Sequence, residues 1–385
     1  MLKRLVSREF RMGWINMTIG ENPIERTRLD NIQALRGIAA LAILFYHLAL
    51  FIRGGVFKGQ SGFPFGAWDQ GWAGVDLFFV ISGFIMVWTT QSIQPGLSTA
   101  RGFLWRRVTR IYPLWWFCAG IMAIYFFVAY GIPAAPDRID GPGQAWEFAL
   151  KSFALWPQSE SPLLGLGWTL IHEMWFYLIF ALLLILPRKM LIIGLVAWAG
   201  LTLGHYLVFG AVEVSKPVWK LITSPLTLEF IGGAVIAKLV LVRFNVSKNL
   251  AWPILIIGLI WVFFAMSFNI KFKAEDHHFV RAIIYGPAMM VIVWASTALT
   301  LSGELKTPNW LVRLGDWSYS LYLIHYIVLI AMKRILRMTR LDELSGVVPI
   351  IIFGILAFIL SIAVAGILHH TVERPLIKIL RRSQA

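Results

Sequence analysis

The chain has 385 residues, of which 58% are hydrophobic and only 14% charged. A soluble globular domain carries about 25% charged residues, so this composition excludes one and describes a membrane protein, its length best counted in spans. The net charge of +15 raises nucleic acid as a partner, but Lys and Arg are scattered between apolar runs and form no basic stripe, which argues against it.

Residues 1–30 are polar and mixed in charge, with no short apolar core before a cleavage site. No signal peptide is expected, so the first hydrophobic segment should stay as an anchor. Met17 is an alternative start. A helix needs about 20 mostly apolar residues to cross the hydrocarbon core. Ten segments qualify: 33–52, 72–91, 110–131, 164–186, 190–209, 218–242, 251–270, 281–302, 315–335 and 347–370. A lipid-exposed segment must satisfy its own backbone hydrogen bonds, so these are helices. The expected fold is all-α and polytopic: a tail over 1–30, a transmembrane domain over 31–376 and a tail over 377–385.

An even number of spans puts both termini on one side. Placing them in the cytoplasm leaves the larger share of Lys and Arg inside, as the positive-inside rule requires. The basic stretch "KRILRMTRLDE" after the ninth span dissents, because it falls outside. It reads as an amphipathic surface helix or as a sign of a miscounted span. The longest connection, roughly 132–163, is also outside and rich in Pro and Gly, the kind of long loop that often carries function. The one cysteine, Cys118, lies in an apolar run and excludes both a disulfide framework within the chain and a Cys-based metal site.

Ionisable residues inside spans are costly and by default mark function. In span one, Arg36 and His47 are eleven residues apart. That is about 20° past three full turns, so the two side chains share a face, about 16 Å apart along the axis. Asp76 lies one turn into span two; it reads either as pairing with a loop Arg or as catalytic. Arg106, Arg107 and Arg110 form a ridge before span three, either a positive-inside anchor or a phosphate site suited to the guanidinium fork. In span four, His172 and Glu173 are adjacent and point apart by about 100°, and the mid-membrane Glu173 needs a partner or a proton. Glu229 is a second intramembrane carboxylate. Tyr322 and His325 share a face of span nine, where Asp316 and Ser320 lie near its start. His205, His277 and His278 read as peripheral. Two layers result: a cationic one (Arg36, the arginine ridge and Arg374) and a titratable one (His47, Asp76, Glu173 and His325).

The pieces "ALRGIAALAILFYH", "GVDLFFVISGFIM", "RRVTRIYPLWW", "GWTLIHEMWFY", "LGDWSYSLYLIHY" and "VERPL", in that order, resemble the acyltransferase-3 family of integral membrane acyltransferases. The resemblance covers about Asn31 to Leu376, and "GLGWTLIHEMWFY" is similar to the bacterial exopolysaccharide-production branch. Glu173 takes the place of a family glutamate, while Ile171 and His172 depart from the common pattern there, so His172 is not carried over as catalytic.

The resemblance implies a cytoplasmic acyl-CoA donor, usually acetyl-CoA, used as a co-substrate with no resident cofactor or metal. It also implies an O-acylated carbohydrate product at the outer face of a bacterial inner membrane. The family's essential arginine and histidine fall on Arg36 and His47, and its basic motif on Arg106, Arg107 and Arg110. On this reading the arginines hold the CoA phosphates. His47 acts as general base or as nucleophile, Glu173 or Asp76 orients it, and His325 and Tyr322 meet the acceptor. The rival class is a transporter or flippase of lipid-linked sugars, which intramembrane charges also suit.

Overall fold

In the computed structural model, described residues are 11–12, 15–17, 29–58, 66–242, 244–267 and 277–382. Most of the 1–30 tail and the end of the 377–385 tail lie outside them. Fourteen α-helices follow in chain order. They are α1 (Asp30–Arg53), α2 (Gly74–Thr90), α3 (Leu97–Tyr130), α4 (Ala145–Phe153), α5 (Gly167–Leu183), α6 (Arg188–Phe209) and α7 (Pro217–Ile222). They continue with α8 (Thr227–Leu241), α9 (Lys248–Ser267), α10 (His277–Leu301), α11 (Asn309–Asp316), α12 (Ser318–Met338), α13 (Val347–Leu368) and α14 (Arg374–Arg382). A small antiparallel ladder of Arg11–Met12, Ile15–Met17 and Phe244–Val246 is the only strand structure among the described residues.

Nine helical segments among the described residues are long and apolar enough to cross a membrane, and α5, at 17 residues, is a shorter apolar tenth. These ten correspond one for one to the expected spans, so the chain is a multi-pass helical membrane protein. The dissenting basic stretch is neither a separate surface helix nor a miscount. Lys333, Arg334 and Arg337 form the last turns of α12 itself.

Lipid offers no hydrophobic drive for helices to associate, so close packing of small residues must supply it. The α2–α8 crossing shows this. A Cβ on Gly83 would lie 1.8 Å from the Phe230 carbonyl oxygen, and one on Gly233 would lie 1.9 Å from that of Val80. At these two positions only glycine lets the backbones meet. Gly315 of α11 sits equally close on the Gln33 carbonyl of α1. Helices α1 and α2 thereby reach the middle of the bundle, with α8, α10, α11 and α12 around them.

The long connection after α3 is not an open loop. Its helix α4 ends at Phe153, and Leu155, with a φ of 53°, turns the chain away just beyond it. The last carbonyls of a helix need donors from outside it. Three aromatic residues of α3 provide them: Trp115 Nε1 donates to Ser152 O, Trp116 Nε1 to Phe153 O and Tyr112 OH to Ala154 O, at 2.9–3.0 Å. This pins the end of α4 against α3.

Candidate active site

Three chambers follow one another along α1. The first is lined by Gln33, Arg36, Trp88, Arg106, Arg107 and Arg110 among others. It shares Arg36, Ile85, Arg107 and Arg110 with a smaller middle chamber, lined further by Ser82, Glu173 and Tyr177. The middle chamber shares Val75 and Tyr322 with a third that contains His47. The eleven-residue spacing on α1 therefore puts Arg36 and His47 in different chambers of a row whose neighbours share wall residues. Tyr322 lines both the middle chamber and the third. Its OH is 2.7 Å from Thr169 Oγ1 and donates to Leu166 O at 3.0 Å.

At the Arg36 end the charge is lopsided. Arg36 is only 8% exposed and donates to the Gln33 side chain at 3.2 Å. The Arg107 guanidinium lies over the rings of Phe103 and Tyr177, at 5.2 and 5.3 Å. No carboxylate lies within ion-pair distance of Arg36, Arg106, Arg107 or Arg110 among the described residues. Glu173, the one carboxylate lining the middle chamber, accepts from Ser82 Oγ at 2.7 Å and from the Tyr177 hydroxyl. Arg36 is buried, Arg107 and Arg110 are half-buried, and Glu173 and Glu373 act on them only from beyond ion-pair distance, so the cluster suits an anion that arrives from outside the chain. Arg374 is exposed and lines none of the three chambers, so it does not join this layer.

At the other end, His47 Nδ1 is 3.2 Å from His325 Nε2 and 2.9 Å from Ile43 O. His325 is fully buried, and its Nδ1 is 2.8 Å from Leu321 O. A carbonyl only accepts, so His325 carries its proton on Nδ1 and presents a lone pair at Nε2. His47 Nδ1 then faces two acceptors and must itself carry a proton. The lone pair of His47 is left on Nε2, in a ring that lines the chamber. Tyr326 packs edge-on against His47 with centroids 5.4 Å apart.

The orienting role expected of Glu173 or Asp76 falls to neither. Glu173 belongs to the arginine chamber. Asp76 is fully buried and takes a bidentate ion pair from Arg281, Nε to Oδ1 at 3.1 Å and Nη2 to Oδ2 at 3.0 Å. Arg281, one turn into α10, is the first residue of the expected span 281–302. It is 3% exposed, lies over the Trp72 and Trp168 rings and lines the His47 chamber. His278 is also less peripheral than expected, since its ring stacks parallel to Trp168 with centroids 5.9 Å apart. Ser320, near the start of α12, donates to Glu373 Oε2 at 2.6 Å, an oxygen that His369 Nδ1 also meets at 3.0 Å.

A helical membrane bundle with an unpaired arginine cluster and an imidazole base at opposite ends of one row of cavities has the form of a membrane-embedded group-transfer enzyme. The model of the acyltransferase domain matches residues 29–370, and the chain belongs to that acyltransferase-3 family of membrane O-acyltransferases. It is similar to the exopolysaccharide production protein ExoZ of Rhizobium meliloti (strain 1021), 28% identical over 66% of this chain and 75% of that protein. It is also similar to the acyltransferase MdmB of Streptomyces mycarofaciens, 25% identical over 94% of both chains. Nodulation protein 10 of Rhizobium leguminosarum bv. viciae is 26% identical over 78% of this chain and 83% of that protein. No solved structure matches the chain significantly.

Proposed function

We propose that this enzyme moves an acetyl group from cytoplasmic acetyl-CoA to a hydroxyl of a cell-envelope carbohydrate, on the outer side of a bacterial inner membrane. The observation that carries the reading is the row of chambers joining the arginine cluster to His47. CoA is a phosphate-rich nucleotide on a long, thin arm that ends in a thioester. Its phosphates suit Arg36, Arg106, Arg107 and Arg110, because the guanidinium fork binds phosphate oxygens in pairs. The arm then suits the middle chamber, and the thioester the junction at Tyr322. The relative ExoZ is named for exopolysaccharide production, which supports a carbohydrate acceptor.

In this mechanism the acceptor hydroxyl lies against His47 Nε2. His47 removes the hydroxyl proton as the oxygen attacks the thioester carbonyl. A C–O bond forms, the C–S bond breaks, and the imidazolium returns the proton to the CoA sulfur. The products are an O-acetylated sugar and free CoA thiol. His325 acts as a positioning residue by accepting from His47 Nδ1 and so holding the tautomer that leaves Nε2 basic. Nucleophilic attack by His47, through an acetyl-imidazole, uses the same free nitrogen.

The test is transfer of labelled acetyl from acetyl-CoA to glycan by purified protein in nanodiscs. A protein that moves glycan across the bilayer without consuming acetyl-CoA would establish the rival transport reading.

A further inference from the structure

The His47 chamber has a charge that the reaction itself does not require. Among the described residues its ionisable lining consists of His47, the tyrosines and three cations, Arg138, Arg281 and Lys333, with no carboxylate. Arg281 spends its charge on Asp76. The other two do not. Arg138 donates to the Pro162 carbonyl at 2.9 Å, and Lys333 donates to that of Gly54 at 3.2 Å. A carbonyl fixes a cation's position without neutralising it. Lys333 also opens the basic last turns of α12, the stretch that breaks the positive-inside pattern. Charge biased against topology has to be repaid by a function. The chamber is also aromatic, with Trp72, Trp168 and Tyr326 in its wall, as suits the flat faces of sugar rings.

We propose that this chamber is a subsite for an anionic saccharide, a sugar bearing a phosphate or carboxylate, with the ring against the aromatic wall and the charge held by Lys333 and Arg138. The proposal rests on the acyl-transfer reading and names the class of its acceptor. A side pocket that shares Ser161, Trp168 and Arg281 with the chamber leads away from His47, and it adds Lys220 against a single acid, Glu160.

The test is equilibrium binding of three probes to the full chain in phosphatidylcholine nanodiscs: glucose 1-phosphate, methyl glucuronide and the neutral methyl glucoside. The wild type should bind either anionic probe at least about tenfold tighter than the neutral one, a preference that shrinks as salt screens it. Lys333→Gln and Arg138→Gln should each remove most of that preference. Lys333 is near the end of a helix, so its variant should keep a monodisperse elution profile even where the Arg138 variant does not. Equal binding of charged and neutral probes by the wild type, no binding of either anion, or a preference intact in both variants would overturn the proposal. A second arm adds phosphatidylglycerol to the nanodiscs. If that lipid abolishes glucose 1-phosphate binding, the cations serve headgroups and the proposal fails. Binding is read without acyl donor. Anion binding without acetyl transfer therefore sinks only the acyl-transfer reading, and equal acetylation of charged and neutral sugars sinks only this one.

Discussion

His325 Nε2 lies 3.2 Å from His47 Nδ1, and this contact decides which nitrogen of His47 is free to act. His325 comes from α12 and His47 from α1, 278 residues apart in the chain. The ring proposed as catalytic base is thus held across a helix–helix interface that must form before it is correctly aimed.

His47→Gln should lower acetyl transfer by about a thousandfold, the middle of the range for loss of a general base, with elution and thermal unfolding of the protein unchanged. His325→Ala should cost less, roughly tenfold to a hundredfold in kcat, and His325→Gln should recover part of it, because the amide oxygen also accepts from His47 Nδ1. Acetyl transfer by His325→Ala at the wild-type rate would show that the ring pair is packing alone.

Removing one guanidinium from the other end should act on the donor. A hydrogen bond to a charged group contributes about 1.5–3 kcal/mol, so Arg110→Ala or Arg36→Ala should weaken CoA binding roughly tenfold to a hundredfold. Transfer at saturating donor should fall less. Calorimetric titration with CoA measures the first effect and single-turnover kinetics the second.

The Asp76–Arg281 pair is buried on both sides, with side chains 0% and 4% exposed. Breaking a buried pair leaves one charge uncompensated and costs about 3–5 kcal/mol. Asp76→Asn should therefore lower the unfolding temperature clearly. Removing both charges at once, as Asp76→Asn with Arg281→Met, should restore part of the loss.

Gly83→Ala places a methyl group on the Phe230 carbonyl. Overpacking of this kind costs about 1–3 kcal/mol. The α2–α8 crossing should loosen, with thermal unfolding shifted down while CoA binding per folded molecule stays near its wild-type value.

Much of this site was legible in the sequence, and the reasons for the rest are physical. The helical period alone fixes Arg36 and His47 on one face, because both lie on one continuous helix. The arginine ridge is legible for the same reason. Partnerships between helices are not. Asp76 has no local signal that its ion will be met by Arg281, and Arg281 has none that it is more than a loop cation at the start of a span. Glu173 or Asp76 is the expected partner of His47 because all three lie within spans. Depth does not determine which way a helix turns its face, and the packed bundle gives the imidazole to His325 instead. The pinned connection after α3 is likewise invisible locally, since its donors come from indole and phenol groups of another helix.

Polar cavities among membrane spans are a potential leak. Ions and protons at a cell membrane move down steep gradients, and a protein that holds such cavities has to exclude them. Here the two end chambers carry guanidinium or ammonium groups, and the middle chamber between them is walled in part by Tyr322. Fixed positive charge raises the barrier for any cation entering a cavity. The cations that suit anionic substrates therefore also work as insulation for the membrane potential.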